Sequence, residues 1–197
     1  IDASMNPAKE IGGDFYDFYF VDDDHFAFQI ADVSGKGVPA ALFMVVSKAI
    51  IKNNVQLGMP PAEAFNKANL QLREGNESNL FVTAWLGILE ISTGELVYAN
   101  AGHNPPVIQH EDQPPVYLKK LSGLVLAGSK RSVYKEFRLH LSDGDKIYLY
   151  TDGVTEAMNE QNEQYGEGRL LSCMTAMDVD ATAKEIIDTV AEDIHKF

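Results

Sequence analysis

Cysteine is almost absent, with Cys173 the only one in 197 residues. A single thiol excludes an intrachain disulfide and a thiolate zinc cluster. It fits a reducing compartment, so a cytoplasmic location is expected. Basic residues are scarce too. Lys and Arg total 16 against 29 Asp and Glu, a net charge of −13. A nucleic-acid binder needs a basic face to neutralise phosphates, and adsorption to anionic lipid needs one as well, so both classes are set aside. Long apolar runs are also missing. The longest, residues 38–51, is interrupted by Ser47 and Lys48 and falls short of the roughly 18 residues of a membrane span. No low-complexity tract or repeat divides the chain, which suits one large domain.

What is present is ordinary for a packed domain: 45% hydrophobic and 23% charged residues. Residues 14–20, rich in Phe and Tyr, read as a strand. Residues 25–31 read as its return through the polar turn Asp22-Asp23-Asp24, which makes a hairpin. Gly35-Lys36-Gly37 breaks the pattern. Pro39 then sits where a first helical turn tolerates proline, and residues 38–52 read as a helix apolar on several sides, hence well buried. Pro61, Phe65, Ala68 and Leu72 mark a second helix over residues 61–73. Residues 80–91 and 95–101 read as strands joined by Ser92-Thr93-Gly94. Short strands follow at 107–109 and 116–118. A further hairpin is expected from 134–141 and 146–150 through Ser142-Asp143-Gly144. Thr182 and Glu185 fit a capping box before a helix with an Ile186, Ile187, Val190, Ile194 stripe. Helices segregated from runs of strands make this α+β.

Three aspartates stand out. Asp14 follows Gly12-Gly13 and opens a strand, Asp32 ends the next, and Asp152 ends a later one in Tyr150-Thr151-Asp152-Gly153. Asp14 and Asp32 fall at the same end of one hairpin, so they should be neighbours. Paired carboxylates repel unless a cation or proton lies between them, and the acidic composition permits a divalent-cation site. The competing reading is that each Asp caps a turn or helix. Residues 32–37 resemble a phosphate loop, but a Walker A motif needs Ser or Thr after Gly-Lys and a further Gly upstream, so a nucleotide site is rejected. His103, in Asn100-Ala101-Gly102-His103-Asn104, could be a proton donor or an anion contact, but the favoured reading is a turn whose Asn and His side chains bond to backbone. Cys173 reads as a packing residue, and Lys36, Lys48 and Lys52 read as helix-surface groups.

Taken in order, Gly12-Gly13-Asp14-Phe15-Tyr16-Asp17, Ala31-Asp32-Val33-Ser34-Gly35-Lys36-Gly37-Val38-Pro39-Ala40-Ala41, Asn100-Ala101-Gly102-His103-Asn104-Pro105 and Tyr150-Thr151-Asp152-Gly153-Val154-Thr155-Glu156-Ala157 cover nearly the whole chain. Together they resemble the bacterial SpoIIE/RsbU-type branch of the PPM (type 2C) serine/threonine phosphatases. The resemblance implies an α-β-β-α sandwich of two antiparallel sheets flanked by helices. It implies a pair of Mn²⁺ or Mg²⁺ ions held by Asp14, Asp32, Asp152 and the backbone carbonyl of Val33. The activity implied is hydrolysis of phosphoserine or phosphothreonine by a metal-activated water.

The implied substrate is a phosphorylated STAS-type anti-sigma factor antagonist. A sensor or receiver domain would precede residue 1 in the same chain, and its signal would reach Asp32 through the two helices that follow. Self-association into a homodimer is a further expectation. Two departures stand beside these. Ser34 occupies the place where many eukaryotic relatives carry a histidine acid, which leaves the leaving-group acid unassigned between a metal-bound water and His103. The family usually ends in an Asp-Asp-x-Thr strand, whereas this chain ends at Phe197, so the expectation is a single domain, residues 1–197, truncated before that strand. The rival reading is a non-catalytic interaction module with a degenerate metal site.

Overall fold

The computed structural model describes residues 1–5, 12–111 and 113–197. In chain order the elements are β1 (Phe15–Phe20), β2 (His25–Val33), α1 (Val38–Gln56), α2 (Pro61–Arg73), β3 (Val82–Glu90), β4 (Glu95–Ala101), β5 (Val107–Gln109), β6 (Val116–Tyr117), β7 (Phe137–His140), β8 (Lys146–Tyr148), α3 (Asp152–Thr155), α4 (Gly166–Thr175) and α5 (Ala183–Lys196). They form two antiparallel sheets with helices, the α+β class expected, and fall into two compact units.

The larger unit holds the five-stranded sheet β1-β2-β3-β4-β7 together with α1 and α2. Alternation along β2 sends Ala27, Ala31 and Val33 to one face, where they pack with Ala40, Ile51 and Val55 of α1 and Ala64, Phe65, Ala68 and Leu72 of α2. The other face carries the aromatics. Phe18, Phe26, Phe28, Trp85, Tyr98 and Phe137 follow one another across the strands with ring centroids 5.4–6.3 Å apart. Glycine permits this row: a Cβ on Gly87 would lie 2.6 Å from the Trp85 ring.

Helix α1 starts behind Gly37, whose φ of 77° favours glycine, and it has proline in its first turn. It ends at Leu57 and Gly58, whose N–H groups donate to the Asn53 and Val55 carbonyls. The expectation of a well-buried helix is corrected here. Val38, Leu42, Val45 and Val46 are exposed, because only one side of α1 meets the sheet and α2. By length and composition α1 could cross a membrane despite Ser47 and Lys48: it has 19 residues and a mean hydropathy of 1.2, and 33% of that stretch is buried.

The smaller unit holds the sheet β6-β5-β8 with α3, α4 and α5. Its core is Val107, Tyr150, Tyr165, Leu170, Met174, Ile186 and Val190. The capping box at the head of α5 is formed as expected: the Glu185 N–H donates to Thr182 Oγ1 and the Thr182 N–H donates to the Glu185 carboxylate.

One expected hairpin does not form. β7 pairs with β4, placing Phe137 opposite Tyr98, while β8 pairs with β5, placing Ile147 opposite Ile108. A turn signal such as Ser142-Asp143-Gly144 marks where the chain reverses, but not which strand becomes the neighbour.

Candidate functional site

The candidate site begins at the open end of the β1–β2 hairpin. Phe15 pairs with Ala31, so Asp14 lies one step further out, opposite Asp32 and on the same face of the sheet. Asp32 in turn pairs with Thr83, and Val33 with Val82. The Ser34 N–H donates to the Phe81 carbonyl at 2.9 Å, which fixes the alternation of that ladder. The Val33 carbonyl is thereby turned away from β3 and toward Gly13. A Cβ on Gly13 would stand 2.7 Å from that oxygen. Only glycine lets the chain pass so close to a backbone carbonyl while delivering Asp14 to its position.

Two carboxylates and a backbone carbonyl are hard oxygen donors, the set that Mg²⁺ and Mn²⁺ prefer over thiolate or imidazole. The donor chemistry of residues 14, 32 and 33 therefore fits the implied cations. Among the described residues, no three His, Cys, Asp or Glu side chains gather into a metal cluster.

Helix α1 is clamped onto the same hairpin. Lys48 Nζ donates to the Tyr16 carbonyl at 3.1 Å. Lys52 Nζ lies 3.1 Å from the Asp17 carboxylate and 4.2 Å above the centre of the Tyr19 ring. Burial, and then the Asp17 charge, push the Tyr19 phenol far above its ordinary range. Lys48 and Lys52 are helix-surface groups as expected, and from that surface they join α1 to β1.

His103 sits in the expected turn, held by backbone bonds. The Asn100 side chain donates to the His103 carbonyl at 3.0 Å and accepts from its N–H at 2.8 Å. The imidazole does something the turn does not require: its Nδ1 lies 2.9 Å from Thr83 Oγ1. Thr83 was missed by sequence reasoning, since a threonine inside a strand carries no signal beyond β-propensity.

Asp152 belongs to the smaller unit and is exposed. It was expected to end a strand. The strand stops at Tyr148, and Asp152 opens the short helix α3, where its carbonyl accepts from the Glu156 N–H at 2.7 Å. Cys173 packs against the core of that unit. Burial, and then the Asp193 charge, raise its thiol pKa, which suits a packing residue and not a nucleophile.

Comparison with known proteins adds three findings. The family model "Stage II sporulation protein E (SpoIIE)" matches residues 22–197. Phosphoserine phosphatase RsbU of Bacillus subtilis (strain 168) is 34% identical over 160 residues, which is 81% of this chain and 48% of that protein. Solved structures share the fold. The RsbU and RsbW domains of Rv1364c from Mycobacterium tuberculosis align with a TM-score of 0.78 at 24% identity, covering 95% of this chain and 51% of that one. The PP2C phosphatase domain of SpoIIE from Bacillus subtilis gives 0.78 at 18% identity, covering 95% and 55%. RsbX, solved in complex with magnesium, gives 0.68 at 17% identity, covering 96% and 82%. The chain spans less than half the length of the curated relatives it matches.

Proposed function

The chain belongs to the SpoIIE family, and we propose that it is a metal-dependent serine/threonine protein phosphatase acting on phosphoserine or phosphothreonine of a signalling protein. The observation that carries this reading is the hairpin end, where Asp14 falls opposite Asp32 beside the Val33 carbonyl. Asp14 and Asp32 would hold the cations through carboxylate oxygens, and Val33 through its carbonyl. Asp152 has the same assignment from its motif. Mg²⁺ or Mn²⁺ would supply Lewis acidity there, activating water and offsetting charge on phosphoryl oxygens. No side-chain nucleophile is called for, which agrees with the raised thiol of Cys173.

The substrate we propose is a phosphorylated STAS-type anti-sigma factor antagonist. The reading is supported by RsbU, a phosphoserine phosphatase. Control by a sensor or receiver domain in the same chain is part of the proposal, and the solved SpoIIE structure from Bacillus subtilis, which includes a fragment of a regulatory domain, supports it. Cytoplasmic action and a homodimeric assembly complete the reading.

The test is phosphate release from a phosphoserine protein with Mn²⁺ present and after chelation. Activity that disappears with chelator and returns with Mn²⁺ is expected. Equal turnover in chelator, or in Asp14→Asn, would overturn the reading.

A further inference from the structure

We propose that Thr83 and His103 are a positioning pair that fixes Asp32 for metal binding, an inference that rests on the metal-phosphatase reading of Asp32. Thr83 stands directly opposite Asp32 in the β2–β3 ladder, so the two side chains share one face of the sheet. Thr83 Oγ1 lies 3.4 Å from the Asp32 carbonyl oxygen and 2.9 Å from His103 Nδ1. A hydroxyl has a single proton. With that proton directed to the Asp32 carbonyl, the oxygen accepts from a protonated Nδ1, and the chain of bonds runs from the imidazole to the backbone of the ligand residue.

The imidazole is delivered rigidly. His103 is 3% exposed and Asn100 1%. Asn100 grips the His103 backbone on both sides, and its own N–H donates to Ser122 Oγ at 2.7 Å. Gly102 makes the reversal at φ 72°, and a Cβ there would lie 3.0 Å from Val125 Cγ1. These backbone bonds close the turn without the imidazole. A buried ring that reaches across to β3 therefore serves another purpose, and its partner is the hydroxyl beside Asp32. Groups behind a metal ligand that hold its orientation characteristically change metal affinity by about 10–100-fold when removed.

The experiment is Mn²⁺ titration by calorimetry on the chain and its variants, with thermal unfolding in chelator to confirm folding. Thr83→Val and His103→Ala are expected to weaken Mn²⁺ binding by about tenfold or more. Thr83→Ser keeps the hydroxyl, and His103→Asn keeps a donor near the Nδ1 position. Both are expected to stay within about threefold of the wild type, well inside the loss given by removal. A folded Thr83→Val that binds Mn²⁺ like the wild type overturns the inference. Should that variant not fold, His103→Asn binding as weakly as His103→Ala overturns it instead. Asp32→Asn separates the two levels. If it abolishes binding while Thr83→Val does not, only the pair fails. If Asp32→Asn binds normally, the metal reading itself fails.

Discussion

Lys52 of α1 and Asp17 of β1 lie 3.1 Å apart, three residues along the chain from Asp14. Asp17 is shielded at 16% exposure and Lys52 also covers the Tyr19 ring, so the contact combines an ion pair with packing. Lys52→Met should lower unfolding free energy by about 1 kcal/mol, the upper end for a partly exposed pair. Urea unfolding checks the size. Faster amide exchange confined to α1 should accompany it.

Gly13 is the next position to test. An added Cβ would meet the Val33 oxygen at 2.7 Å, and backbone cannot rotate away as a side-chain end could. Gly13→Ala should cost about 1–3 kcal/mol by forced displacement. It should also weaken Mn²⁺ binding more than a peripheral change such as Gly144→Ala, whose Cβ would meet nothing within 4 Å but sits at a positive φ. Calorimetry beside thermal unfolding separates the two effects.

Asp145 is expected to set part of the acid limit of stability. Burial alone would raise its pKa. The Ser142 N–H at 2.9 Å, His110 Nδ1 at 2.7 Å and the Glu111 N–H at 3.1 Å outweigh that and hold it below the ordinary value. A depressed carboxylate contributes fully above the unfolded value of about 4 and loses that contribution as pH falls through the folded value. Asp145→Asn should therefore be less stable than the wild type at pH 7, and the gap should narrow below about pH 4. Urea midpoints from pH 7 to pH 3 test this.

Thr182 closes the capping box of α5. Thr182→Ala removes the acceptor for the Glu185 N–H and should cost about 1 kcal/mol. The loss should appear as fraying at the head of α5, read by amide exchange at residues 183–186.

Local chemistry was legible in the sequence. The Phe- and Tyr-rich hairpin, the Ser92-Thr93-Gly94 turn and the Thr182–Glu185 box each arise from neighbours in the chain, and each stands as expected. The register that sets Asp14 one step beyond the Phe15–Ala31 pair was legible for the same reason, since one tight turn fixes it. Long-range partners were not. Nothing in residues 134–150 tells that Phe137 faces Tyr98 while Ile147 faces Ile108. Helix α4 was hidden by Gly166, Gly168 and Ser172, poor helix formers kept in place by Leu170 and Met174 in the core. The apolar outer face of α1 misled, because periodicity reports which residues are apolar and not whether something covers them. Thr83 became visible only through the register that sets it across from Asp32.

The most direct measurement is the rate of phosphate release from a phosphoserine protein, wild type against Asp32→Asn, at the Mn²⁺ concentration that just saturates the wild type. A drop of about 100-fold or more with unfolding behaviour retained is predicted, since an asparagine keeps the shape but loses the charge that binds a cation. An unchanged rate would contradict the account.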